Sequence, residues 1–103
     1  MRLILDRYIV DSLMPDLVGH DKQPSAFIVF LYLWSRATMR RGPQGMQGRR
    51  FVASLRQIAF DTGLSKSAVQ HAIRTLKRRR LIHAQQASAT AAPDYLVNAP
   101  WRR

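Results

Sequence analysis

The sequence predicts one α+β domain that is mainly helical and carries a small β-hairpin. Its 103 residues suffice for one hydrophobic core and are too few for two independent cores. Before Leu81, apolar residues recur mostly at helical spacing. After it, "LIHAQQ" and "DYLVN" have the composition of two strands around the segment "ASATAAP".

Residues 1–23 are expected to form a helical extension made of one or two short pieces. Leu5, Ile9, Leu13 and Leu17 follow one another at helical spacing. Pro15 lies among them, and proline lacks the N–H that a helix interior needs. We therefore expect the helix to break or restart at this position.

Residues 24–40 are expected to form the first core helix, with Pro24 well suited to its first turn. From Ala26 to Trp34 the segment is apolar almost all round, which predicts burial on more than one side. The helix then either lies at the centre of the domain or lends a face to a partner subunit. The second possibility makes a homodimer a partner to consider.

The segment "RRGPQGMQGRR", residues 40–50, is expected to be a loop, because glycine occurs at every third position between Gly42 and Gly48. Arginines flank this loop on both sides. "RFVASL" follows as a short strand candidate.

Residues 54–79 predict two helices joined by a tight turn. Ser54 can cap a helix of about Leu55 to Thr62 that ends at Gly63, and Ser65 can cap a second helix of about Lys66 to Arg79. Two helices joined by a few residues with a glycine at the bend indicate a helix-turn-helix unit.

The spacing within this unit is specific. Ala59 suits a close helix crossing, Gly63 suits a turn with positive φ, and Val69 suits packing of the second helix on the first. Ile58, Leu64 and Ile73 are expected to supply the remaining core contacts.

The stretch "SLRQIAFDTGLSKSAVQHAIRTLKRRRLI", with the strand pair after it, resembles the winged helix-turn-helix family of bacterial and phage DNA-binding proteins. The resemblance covers about residues 7–98 and is strongest over 54–82. It implies a single winged helix-turn-helix domain over 1–103, with a recognition helix from Lys66 to Arg79 and a wing over 82–98. The wing tip "QQASATAAP" contains no Lys or Arg, so we do not expect it to bind the minor groove strongly.

The second helix of the unit carries a polar, basic face opposite its apolar residues. No acidic residue occurs from Thr62 to Pro93, as a surface that faces phosphates requires. The base-reading candidates are Lys66, Ser67, Gln70 and His71, with Arg74 reading a base or a phosphate. The phosphate-binding candidates are Ser65, Lys77, Arg78, Arg49 and Arg50.

Charge favours the same class of partner. Seventeen Lys and Arg against six acidic residues leave a net charge of +11, which favours a polyanion. Double-stranded DNA is the expected partner. A membrane is not expected, because the one strongly apolar run is nine residues from Ala26 to Trp34, against the roughly 20 that a span needs.

No enzyme, cofactor or metal site is expected. The chain has no cysteine, which fits the cytoplasm, and His20, His71 and His83 match no metal-ligand spacing. Asp6, Asp11, Asp16 and Asp21 recur every five residues. That step rotates about 140° around an α-helix, so we do not expect them to converge.

Three functions remain open from the sequence. The first is a small transcriptional regulator that binds specific DNA. The second is the DNA-binding module of a plasmid or phage replication initiator or another mobile-element protein. The third is a winged helix that binds protein or RNA and whose basic face is incidental.

Overall fold

A computed structural model describes residues 3–102 of the chain. Its elements, in chain order, are the short π-helices π1 (Ile9–Leu13) and π2 (Asp16–His20), followed by α1 (Pro24–Arg36), β1 (Thr38–Arg41), β2 (Gln47–Val52), α2 (Leu55–Thr62), α3 (Lys66–Arg78), β3 (Ile82–Gln85) and β4 (Asp94–Val97). The predicted α+β class is confirmed. The radius of gyration, 13.1 Å, is that of one compact domain of this length.

Helix α1 is the central helix of the core. It begins with Pro24, and it packs against α3, α2 and π2. Its buried side chains are Ala26, Phe27, Val29, Phe30, Tyr32, Leu33 and Trp34. This burial lies within one chain, so it removes the observation that favoured a partner subunit, and a homodimer stays a prediction. Among the described residues, no helix is both long and apolar enough to cross a membrane.

The N-terminal extension is helical, as predicted, but Pro15 does not break it. Pro15 lies in helical conformation directly before π2, and residues 7–20 are helical without interruption. The turns are wide, with the N–H of Met14 bonded to the carbonyl of Ile9. Ile9, Leu13 and Leu17 are buried against the core.

Residues 40–50 form a hairpin, so the predicted loop was wrong. The first core helix is also shorter than predicted, because it ends at Arg36 and the chain continues as β1. Strands β1 and β2 pair antiparallel, with Thr38 opposite Arg50. The chain reverses at the tip, where the N–H of Gly45, at φ +85°, donates to Gly42. Only the residues of this tip adopt turn conformations. The arginines on either side of it are extended and belong to the paired strands β1 and β2.

The four strands form one antiparallel sheet in the order β1-β2-β4-β3. Phe51 of β2 lies opposite Tyr95 of β4, and Ala84 of β3 lies on the other side of Tyr95. The predicted pairing of the two last strands is confirmed. The sheet has more strands than the sequence indicated, because β1 was missed.

The predicted helix pair is confirmed, and α3 ends one residue earlier than expected. Ser54 Oγ accepts from the N–H of Gln57, and Ser65 Oγ accepts from the N–H of Ala68. Gly63 has φ +80°, and its N–H donates to the carbonyl of Ala59 at 2.9 Å. A residue with a β-carbon is strained at this φ, so the turn favours a glycine here. Burial of the core side of the pair fixes α3 against α1 and α2.

Candidate nucleic-acid interface

Helix α3 buries one side and exposes the other. The buried side consists of Val69, Ala72, Ile73, Thr75 and Leu76. Thr75 is satisfied there, because its hydroxyl donates to Gln23 Oε1 at 2.7 Å. The exposed side, here called the basic face, consists of Lys66, Ser67, Gln70, His71, Arg74, Lys77 and Arg78. The structure therefore brings these seven predicted site residues together on one surface.

The basic face contains no acidic side chain, and the acids of the chain are engaged elsewhere. Each of the six aspartates contacts a partner away from this face: Asp6 with Arg102, Asp11 with Arg7, Asp16 and Asp21 with Arg79, Asp61 with Tyr32, and Asp94 with Arg40. Within residues 3–102, no salt bridge therefore neutralises Lys66, Arg74, Lys77 or Arg78. Their charges are available to an external polyanion.

The first turns of α2 and α3 contain cations where a helix dipole favours anions. Lys66 is the first residue of α3 and Arg56 the second of α2, and neither first turn contains an acid. Both side chains line a cleft of about 440 Å³ that also contacts Gln86 and Thr90 of the β3–β4 connection. An anion in this cleft would meet two cations and two helix N-termini.

Arg56 is a member of the site that the sequence reasoning missed. It is exposed, it lines the same cleft as Lys66, and it has no ion pair among the described residues. A usable indication was present in the sequence, because a cation two residues after the capping Ser54 is contrary to the dipole preference of a helix N-terminus.

The β3–β4 hairpin lies beside the basic face. A shallow groove of about 280 Å³ runs between Gln70, Arg74 and Lys77 on α3 and Pro93 and Tyr95 at β4. The hairpin tip itself is uncharged and folds on itself, with Gln86 Nε2 donating to the carbonyl of Ala91. The expectation that this tip does not bind the minor groove strongly stays a prediction.

Arg49 and Arg50 do not lie on a loop, contrary to the prediction, because both belong to β2. The guanidinium of Arg49 stacks over the Trp34 ring, 4.2 Å from its centroid. Burial, together with the nearby charge of Arg102, lowers the pKa of Arg49. The Arg49 side chain therefore packs against Trp34.

Arg50 is fully buried, so it cannot reach a phosphate from this position. Its Nε donates to the carbonyl of Met46, and its nearest acid is Asp94, at 3.9 Å. A β-carbon on Gly42 would lie 2.2 Å from the Arg50 guanidinium carbon. The hairpin tip thus closes over Arg50 and excludes it from the surface.

Asp16 and Asp21 do converge, contrary to the sequence prediction. Both carboxylates bind the guanidinium of Arg79, just after α3. The prediction assumed α-helical rotation, but in π2 the N–H of Asp21 bonds to the carbonyl of Asp16, so these positions lie one wide turn apart. The hydrogen bond that Arg79 donates to Asp16 raises the pKa of Arg79.

His20 completes the only group of three potential metal ligands found within residues 3–102. One ligand atom each of Asp16, His20 and Asp21 lie within 4.8 Å of one another. Both carboxylates already bind Arg79, whose charge occupies the place that a cation would take. The arrangement is an ion pair that holds π2 to the end of α3.

The basic face therefore combines the side-chain types that bind phosphates with those that read base edges. Comparison of the chain with protein-family models, with curated proteins and with solved structures finds no match in any of the three. The function must be inferred from the residues of the chain.

Proposed function

We propose that the protein binds double-stranded DNA sequence-specifically as a small transcriptional regulator of the winged helix-turn-helix type. The observation that carries the proposal is the basic face of α3, which is exposed, acid-free and unneutralised. In this proposal α3 is the recognition helix and the β3–β4 hairpin is the wing. A regulator of this kind acts by occupying its operator.

The dimensions of α3 suit the major groove. Thirteen residues give a helix about 20 Å long, and the groove of B-DNA is about 12 Å wide, enough to admit one helix. Ser67, Gln70 and His71 lie in the N-terminal half of α3, the part that contacts base edges in helix-turn-helix proteins. Arg74 lies one turn further and can read guanine or hold a phosphate.

Phosphate contacts are assigned to the two ends of the basic face. At the N-terminal end, Arg56 and Lys66 line the cleft beside the β3–β4 connection, and Ser65 caps α3 next to Lys66. At the C-terminal end, Lys77 and Arg78 are exposed and free of acids within the described part of the chain. Such contacts fix the position of a protein on DNA without carrying sequence information.

The test begins with selection of bound sequences from a random duplex library. Binding of the preferred duplex and a scrambled duplex is then measured by fluorescence anisotropy at several salt concentrations. The proposal expects one enriched sequence, a negative dependence of affinity on salt, and a preference for duplex DNA over single-stranded RNA. A library that shows no enrichment, or a preference for the RNA, would contradict it.

Two variants test whether the basic face is the DNA-binding surface. Arg74→Ala is expected to cost about 1 to 3 kcal/mol on the preferred duplex and to narrow its advantage over the scrambled one. Arg7→Ala is the matched control, because it removes the same charge from an exposed arginine of the N-terminal extension, outside the basic face. Equal losses in both variants would show that overall charge, and not the face, determines binding.

A further inference from the structure

Two helices are followed by a left-handed residue that carries a positive charge. Lys22 follows π2 with φ +55°, and Arg80 follows α3 with φ +58°. Helix α2 ends in the same way, but there the left-handed residue is Gly63. Glycine is the usual residue at this position, because a β-carbon strains the left-handed backbone. Within residues 3–102, Lys22 and Arg80 are the only residues other than glycine with positive φ.

Each of these helix ends is closed by a backbone hydrogen bond that spans the left-handed residue. After α3, the N–H of Leu81 donates to the carbonyl of Leu76 at 2.9 Å. After π2, the N–H of Gln23 donates to the carbonyl of Leu17 at 2.8 Å. The helix ends therefore impose the left-handed conformation on the residue in between.

The side chains of Lys22 and Arg80 have no polar partner in the described part of the chain. Both residues are exposed, and the one side-chain hydrogen bond near them goes from Asn98 to the backbone carbonyl of Arg80. Strained backbone is concentrated at functional sites. A cation held at such a position without an internal partner indicates that its side chain acts on a molecule outside the protein.

Lys22 lies beside the basic face of α3. The next residue, Gln23, accepts a hydrogen bond from the Thr75 hydroxyl at 2.7 Å. Thr75 is four residues after His71 and three before Arg78, so it adjoins both of them on the surface of the helix. The turn that contains Lys22 therefore runs along the edge of the basic face formed by His71 and Arg78.

The β3–β4 hairpin lies along the other edge of the basic face, beside Gln70 and Lys77. A helix in the major groove lies between two sugar–phosphate backbones. The hairpin edge and the Lys22 edge would therefore meet different backbones. Arg80 extends the positive charge beyond the C-terminal end of α3.

Two acids near Lys22 do not cancel the positive charge of this edge. Asp16 and Asp21 both bind Arg79, which directs their charges towards that guanidinium. These two acids face four cations around the end of α3, namely Lys22, Arg78, Arg79 and Arg80. The edge therefore keeps a net positive charge that favours a phosphate.

We propose that Lys22 and Arg80 bind backbone phosphates of the DNA at the C-terminal end of α3, with Lys22 on the edge away from the β3–β4 hairpin. The inference rests on the proposed DNA binding, and it adds the N-terminal extension to the interface. Phosphate contacts carry no sequence information, so both residues act on every duplex alike.

Lys22→Gly and Arg80→Gly each remove the charge and relieve the strain, so stability and binding should change in opposite directions. The melting temperature, followed by circular dichroism, is expected to rise by about 2 to 6 °C. Affinity for the preferred and scrambled duplexes should fall alike, and the salt slope should decrease by about one unit in each variant. Anisotropy titrations at several salt concentrations measure both quantities.

Lys22→Arg and Arg80→Lys keep the charge and should keep the salt slope of the unaltered protein. Arg7→Ala is the control for loss of an exposed charge elsewhere, and it should change the slope less than the glycine variants do. An unchanged slope in either glycine variant, while Lys77→Ala lowers it, overturns the assignment of that residue and leaves the proposed function intact. A lower melting temperature in the glycine variants would show a role within the fold and overturn the inference as well. If the unaltered protein binds no duplex, the proposed function and this inference both fail.

Discussion

The hydroxyl of Tyr32 on α1 donates a 2.5 Å hydrogen bond to the carboxylate of Asp61 on α2. Asp61 is the only acid in the helix pair α2 and α3. This contact directs its charge towards α1 and away from the basic face, and it fixes the orientation of α2. Burial, followed by the hydrogen bond and the charge of Asp61, raises the pKa of Tyr32 to about 12.

We expect Tyr32→Phe to lower the free energy of unfolding by about 0.5 to 1.5 kcal/mol near neutral pH, because one hydrogen bond is lost while the ring still fills its site. Urea unfolding followed by circular dichroism measures the change. A variant as stable as the unaltered protein would show that the contact contributes nothing to the fold.

The same pair gives a dependence on alkaline pH. The folded pKa of Tyr32 lies above its unfolded value of 10, so its contribution is full below pH 10 and is lost as the pH rises towards about 12. Tyr32→Phe should therefore lose less stability than the unaltered protein across this range. Some loss should remain, because burial also raises the pKa of Tyr95.

Substitution of Arg56 should weaken DNA binding, whereas substitution of Arg50 should not. Arg56→Ala is expected to weaken binding to preferred and scrambled duplexes alike and to reduce the salt slope by up to about one unit, as loss of one phosphate contact does. Arg50→Ala should leave the affinity of the folded protein unchanged, because Arg50 is buried under the hairpin tip. Anisotropy titrations at several salt concentrations compare them, and a reduced salt slope for Arg50→Ala alone would reverse the assignment.

Gly42 and Arg50 should be energetically coupled. Gly42→Ala introduces a β-carbon 2.2 Å from the Arg50 guanidinium carbon, so the buried guanidinium must shift, at a cost of about 1 to 3 kcal/mol. In the Arg50→Ala background that cost should largely disappear, and a double-mutant cycle by chemical denaturation measures the coupling. Gly19→Ala is the control, because a β-carbon there meets no atom within 4 Å. Additive effects of the Gly42 and Arg50 changes would contradict the contact.

Asp6 should make the protein sensitive to acid. Hydrogen bonds from Arg102 and Trp101 lower its pKa to about 2, below the ordinary value of 3.8. The folded pKa is lowered, so the contribution of Asp6 is full above pH 4 and is lost as the pH falls towards 2. Asp6→Asn should be less stable than the unaltered protein at pH 6, and the difference should shrink by pH 2. Tryptophan fluorescence in urea follows both proteins, and an undiminished difference at pH 2 would exclude this role.

The elements that the sequence predicted well are those with local signals. Ser54, Gly63 and Ser65 fix the bounds of α2 and the start of α3 through contacts within a few residues, and the same amphipathic pattern predicts the basic face. Strand β1 was missed because its four residues, "TMRR", have no apolar alternation, and they are extended only through pairing with β2. The basic face could be predicted from neighbouring residues in the sequence, whereas β1 forms only through its tertiary contacts.

Three arginines also show where prediction from the local sequence fails. Arg49 and Arg50 have the composition of a phosphate-binding loop, yet Arg49 packs on the distant Trp34, and Arg50 is buried under the hairpin tip near the distant Asp94. No property of residues 40–50 alone indicates that one of these charges is buried. Arg56 was missed for the same reason, since its place in the cleft depends on Lys66 and the β3–β4 connection meeting it in space.

The pairing of β2 with β4 has a consequence for how the chain folds. Phe51 and Tyr95 are neighbours in the sheet, although the whole of α2 and α3 separates them along the chain. Bringing them together closes a long loop, which costs conformational entropy. Packing of the enclosed helices offsets this cost. The two helices and the sheet should therefore unfold as one cooperative unit, and a peptide cut out to contain only α2 and α3 would lose the strands that hold its ends together.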